Sequence, residues 1–153
     1  MPATDKSEWT DADFDDLSWH DNAVHAIRVV EGQYGAGRLL LDIDYILEWL
    51  PDGSGGVSFR IAPATLEFRD VTRLKIELDY ETPTAGLTPF SLDRIERRIE
   101  RRDRYDAVLW DLVVNWPTGA ITFEATGFRQ CLRGAAVESS QQQLDAALRG
   151  DSA

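Results

Sequence analysis

Among the side chains of metal-ligating or proton-moving type, one set could be assembled into a metal site: His20, Asp21, His25, Asp42 and Asp44. Imidazole nitrogens and carboxylate oxygens are competent ligands for divalent metals. Their spacing argues against that use, because His20 and His25 are five apart across a loop-to-strand junction and no HxH, HxxxH or HExxH pair exists. His25, on the same strand face as Ile27 and Val29, is expected to point inward as a hydrogen-bonded core imidazole. Asp42 and Asp44 share a strand face about 7 Å apart along the chain, a separation loosely compatible with the paired carboxylates of glycoside hydrolysis. Alternating acids on a solvated strand face are the simpler account. Nucleophilic catalysis has no foothold, since there is no GxSxG and Ser18 is only a sequence neighbour of His20. Gly32, Gly35 and Gly37 spell GxxGxG with no following helix or Lys-Ser/Thr pair, which makes a hairpin turn of the segment rather than a phosphate loop. No metal, cofactor or catalytic residue is therefore expected.

The elements that must carry these residues are written in a two-residue period. From Leu39 to Trp49 the odd positions are apolar, and the other face carries Asp42, Asp44 and Glu48. The same period recurs in Leu74, Ile76, Leu78, Tyr80 and in Val108, Trp110, Leu112, Val114, Trp116. A first strand is expected over Val24 to Glu31, a second up to Trp49 or Leu50, and a third from Val57; Pro63 interrupts before Leu66 and Phe68, which form either a separate short strand or a bulged continuation near an edge. Strands at 107–116 and 120–126 are joined by the tight turn of Trp116, Pro117, Thr118 and Gly119. The fold class is mainly β, an antiparallel meander forming a sandwich or strongly curled sheet. Ser139 and Ser140 are placed to cap a short C-terminal helix through Leu144 and Leu148. Over residues 91–104 two readings stay open: Leu92, Ile95 and Ile99 fit a helical stripe, and equally an edge strand whose charges block pairing. Residues 1–13 are expected to be a flexible acidic arm and 14–150 a single β-rich domain.

The net charge of the 153 residues is −11, and residues 1–22 hold seven acids against one Lys. That sign disfavours nucleic-acid backbones and suits a basic protein partner, although acidity also serves plain solubility. Cys131 is the only cysteine, so neither an internal disulfide nor a thiolate cluster is available. With no apolar run of membrane-spanning length and no signal-like start, the expectation is a cytoplasmic protein without membrane contact, monomeric or homodimeric through an open sheet edge. Trp49, Trp110 and Trp116 are expected in the core. Trp9 and Trp19 lie outside the regular strands and are candidates for a recognition surface, unless Trp19 plugs the end of the sheet and Trp9 is disordered.

Leu17-Ser18-Trp19-His20-Asp21 and Trp116-Pro117-Thr118-Gly119-Ala120-Ile121-Thr122-Phe123-Glu124-Ala125-Thr126-Gly127-Phe128, with Asp42-Ile43-Asp44-Tyr45-Ile46 and Phe59-Arg60-Ile61-Ala62-Pro63-Ala64-Thr65-Leu66 between them, resemble a group of small bacterial proteins without an assigned activity. The Trp-His-Asp element, size and charge are also similar to immunity proteins that neutralise bacterial toxins. The resemblance implies an antagonist-like binding protein and transfers no catalytic residue. The functional expectation is a non-enzymatic acidic protein that meets a basic partner through Trp19, His20, Asp21, Asp42, Asp44 and Glu48. A small-molecule binder or metal-assisted hydrolase built on His20, Asp21, Asp42 and Asp44 is the alternative.

Overall fold

Strand follows from the alternating pattern almost everywhere it occurs. The computed structural model describes residues 6–81 and 86–149, as one antiparallel sheet of nine strands. These are β1 (Glu8–Thr10), β2 (Ala23–Val30), β3 (Gly37–Pro51), β4 (Val57–Leu78), β5 (Phe90–Arg101), β6 (Asp106–Trp116), β7 (Gly119–Glu124), β8 (Gly127–Leu132) and β9 (Val137–Ser139). A 3-10 turn spans Asp11–Asp16 and a four-residue helix, α1, spans Ala146–Arg149. Two three-stranded meanders, β2-β3-β4 and β5-β6-β7, meet at both edges, through β2–β5 and β4–β7, so the pairing closes into a ring of six strands. Closure removes most of the open edge that a curled sheet would expose.

The long β4 makes closure possible because it changes partners along its length. Its first part pairs with β3 on one side and with β9 and β8 on the other; from Thr72 onward it pairs with β7. At the changeover Asp70 and Arg73 both adopt left-handed backbone, with φ of 54°, and the register slips between Thr72 and Lys75. A bulge of this kind bends a strand so that it can serve two neighbours. The strand continues through Pro63, one of the two readings the sequence allowed, but neither bulged nor at an edge: Pro63 sits inside β4 in regular register opposite Asp44.

The ring interior is filled by Leu39, Leu41 and Ile43 of β3, Leu66 and Phe68 of β4, Leu92 and Ile95 of β5, Trp110 and Leu112 of β6, and Ile121 and Phe123 of β7. Phe14 and Trp19 insert among Trp110 and Phe128, with ring centroids 5.7 to 6.3 Å apart. Of residues 91–104, Ser91 to Arg101 resolve as strand and pair with β6, because the adjacent meander offers a ladder that an isolated helical stripe lacks. Of the arm expected over residues 1–13, residues 1–5 lie outside the described residues, while Glu8–Thr10 pair with β8 and place Trp9 against Tyr45, centroids 5.2 Å apart. The C-terminal helix is shorter than expected. Residues 137–139 instead extend the ladder along β4 at Phe59–Ile61, and only Ala146–Arg149 turn helical; Gly150 lies outside the described residues.

Candidate functional site

Two bulges decide where the candidate residues point. In β3 the odd residues Leu39 to Tyr45 face the ring interior and Asp42, Asp44 and Ile46 face outward. A register slip between Ile46 and Glu48 then reverses the alternation, so Trp49 pairs with Phe59 on the outer face and Glu48 pairs with Arg60 on the opposite one. A one-residue slip moves every later side chain to the other face. The acidic face read from the sequence is thereby split, and Trp49, expected in the core, is 45% exposed. Trp116, also expected inside, is 49% exposed at the end of β6, whereas Trp110 meets the expectation at 2%. A second slip, between Val24 and Ala26 of β2, turns His25 away from the interior face of Ile27 and onto the outer face beside Asp44.

Asp44 is fully buried, which no solvated acidic face allows. A carboxylate survives burial only when its oxygens are paired and hydrogen-bonded. Here His25 Nε2 meets Oδ2 at 2.6 Å, the backbone N–H of Leu144 donates to the same oxygen at 2.9 Å, and Arg149 Nη1 pairs with Oδ1. Asp42 receives both Arg149 and Arg133 on Oδ1. The chain's own C-terminal segment is what covers this face. Leu144 packs with Ile46, Phe59 and Ile61 in a small apolar cluster on the outside of β3 and β4, and Gln142 Nε2 donates to Asp21 at 2.9 Å.

Trp19, offered as a recognition residue, is buried in the main core, its Nε1–H donating to Gln130 at 2.8 Å; Trp9 is buried as well. Trp19 thus takes the plugging role that was its alternative. His20 is about half exposed, with Nε2 3.5 Å from Asp21 and Nδ1 3.3 Å from Asp93, and its ring stacks on Trp49 at 6.1 Å. Asp21, in left-handed backbone with φ of 62°, accepts from Asn115 at 2.7 Å and from Gln142. Glu48 holds Arg60 at 3.0 Å on the far side of the β3 bulge.

The six expected residues therefore separate into a set used by the fold and a surface set, with Asp42 in the first because Arg133 and Arg149 occupy it, not because it is buried. Asp44, Asp42 and Trp19 anchor the tail or fill the core, while His20 and Asp21, joined by Asp93 and Trp49, form a surface of carboxylates around an aromatic plate; Glu48 is exposed separately. Among the described residues no three His, Cys, Asp or Glu side chains converge as a metal site. Nothing in the apolar period marks Asp93 or Arg149 as members. Asp93 is placed by the β5 slips at Leu92 and Arg94, and Arg149 by a fold-back of more than a hundred residues. The chain matches no family model, no curated protein and no solved structure. Function rests on geometry alone. No helix among the described residues is long and apolar enough to cross a membrane.

Proposed function

We propose that this chain is a non-enzymatic binding protein that engages a basic protein partner, in the manner of an antagonist or immunity protein, through the surface around Trp49, His20, Asp21 and Asp93. One observation supports the reading most: Trp49 stands half-exposed against His20, and that imidazole is in turn flanked by the carboxylates of Asp21 and Asp93. An exposed Trp is the side chain that most often anchors an interface, and carboxylates around it supply attraction and register toward a cationic partner. Asp42 and Asp44 are assigned a supporting role, since their charges are met by Arg133, Arg149 and His25. The capacity of this side of β3 to collect guanidinium groups is consistent with a taste for arginine-rich surfaces.

The test is capture of partners from source-cell lysate by the tagged full chain at low and moderate salt, beside Trp49→Ala and an Asp21→Asn, Asp93→Asn double variant. A basic protein retained by the wild type, at least tenfold weaker with Trp49→Ala, and less salt-sensitive with the double variant is the expected result. Identical capture by all three chains, or capture indifferent to salt, would overturn the assignment.

A further inference from the structure

Among the described residues the tail does not cover the outer face of β5, β6 and β7, which carries a groove of about 560 Å³. Register defines its floor. One row runs Arg98, Leu109, Glu124, Thr72 across four strands, and the next runs Glu96, Asp111, Thr122, Lys75. Within this grid most charges have partners: Glu124 takes Arg102 and the Thr72 hydroxyl, and Glu96 takes Arg94 at 2.7 Å. Three groups are left loosely satisfied. Arg73 and Arg98 are 73% and 72% exposed, and their carboxylates lie at 3.9 Å and 3.7 Å, beyond good hydrogen-bond distance. Asp111 Oδ1 is buried and has no hydrogen-bond partner among the described residues.

Asp111 and the Arg73 backbone are each unfavourable for folding alone, while the two guanidinium groups are free in solvent to take an anion. A buried acceptor without a donor forfeits its hydration, and Arg73 is held in left-handed backbone, which a non-glycine residue adopts at a penalty. On a chain of net charge −11, two available guanidinium groups in one groove also reverse the local sign. The volume suits a small molecule rather than a polypeptide. Arg73 of β4 and Arg98 of β5 both line the groove, near the two ends of the row that runs through Leu109 and Glu124, and guanidinium groups are the natural partners of an acid group. A bare inorganic anion would leave Asp111 unmatched and repel it; a hydroxyl hydrogen-bonds a carboxyl group whether that group is ionised or protonated.

We propose that this groove is a binding site for a small hydroxylated organic anion, a phosphate ester or carboxylate, with its acid group on Arg73 and Arg98 and a hydroxyl on Asp111. It is a separate patch from the partner surface, reached along β5 through Arg94, which pairs with Asp93 on one side and with Glu96 on the other, and either assignment stands without the other. Burial, with Glu96 close by, raises the Asp111 carboxyl above its usual range, consistent with a group made to share a proton with a ligand.

The experiment is a two-dimensional amide NMR titration of the full chain with glucose 6-phosphate, gluconate and citrate, with glucose and inorganic phosphate as matched controls at constant ionic strength. At least one hydroxylated anion should give saturable shifts at Leu109, Asp111, Thr122 and Glu124, while glucose gives none and phosphate binds at least tenfold more weakly. An Arg73→Gly, Arg98→Gln double variant and Asp111→Val should each weaken binding at least tenfold, and Asp111→Val should at the same time raise Tm. A fall in Tm for Asp111→Val, no saturable shift with any of the three anions, or shifts that phosphate alone reproduces at the same concentration would overturn the site.

Discussion

The outer face of β3–β4 and the outer face of β5–β7 belong to one ring and carry similar charged side chains, yet they are finished differently. On the first, residues 142–149 fold back and deliver Leu144 and Arg149, so that Asp44 at 0% exposure has every oxygen matched. On the second, no segment of the described chain arrives, and Asp111 keeps a buried oxygen without a donor. A carboxylate that the fold needs for itself is saturated from within. One that is left unsatisfied beside exposed arginines is the better candidate for recognising something else.

The sharpest way to break this comparison is at Asp44. Asp44→Ala strips partners from His25, Arg149 and the Leu144 amide together, and should destabilise the chain by roughly 3–5 kcal/mol, the usual loss when one member of a buried pair is removed. Urea denaturation measures it; a loss below about 1 kcal/mol would mean that the tail covers β3 without holding it. Arg149→Ala should follow at about 3 kcal/mol, somewhat less if a released tail lets water reach Asp44. Combined in one chain, the two substitutions should show a coupling of about 1–3 kcal/mol, and additivity would separate the pair.

The opposite sign is expected at Asp111. Asp111→Val should stabilise the chain by about 1 kcal/mol at neutral pH, a figure kept low because the side chain is only partly buried. The pH dependence isolates the carboxyl from the gain in strand propensity. Burial, then the Glu96 charge, raise its pKa in the folded state above 3.8, so above that pH the native chain holds its proton longer than the unfolded one. Wild-type stability therefore falls as pH rises from about 3.8 through the folded value, and the carboxyl's part of the variant's advantage should appear across that window and vanish below it. Parallel stability curves for the two chains would remove the contrast between the faces.

How much of this was legible beforehand follows from what periodicity records. Alternation over Leu39 to Tyr45 and Val108 to Val114 announced β structure, and both segments are buried on one face as expected. The turn between Trp116 and Gly119 was equally plain, because Pro and Gly mark it locally. Closure of the ring was not legible, since it depends on β4 changing partners at a bulge that leaves no compositional trace. The same holds for the slips at Val24, Ile46 and Leu92, which moved His25, Trp49 and Asp93 away from the faces that counting by twos assigns them. The burial of Asp44 needed Arg149, and strand periodicity contains no information on a contact between positions so far apart. Of the six residues singled out from sequence, His20 and Asp21 stand together at the proposed surface, and Trp49, read from the sequence as core, joins them only because of a bulge.

Glu48 gives the smallest effect and the finest test of that bulge. Its pair with Arg60 is solvent-exposed, so Glu48→Gln should cost no more than about 0.5 kcal/mol. The informative quantity is its coupling to the tail contacts. With Glu48 and Asp44 on opposite sides of β3, Glu48→Gln and Asp44→Ala should add within about 0.5 kcal/mol in a denaturation cycle. Had alternation run unbroken to Trp49, the two carboxylates would share a face two pairs apart, repel each other, and show favourable coupling on removal of either. A coupling clearly beyond that limit would place Glu48 with Asp44 and return Trp49 to the interior, and the aromatic plate of the proposed partner surface would go with it.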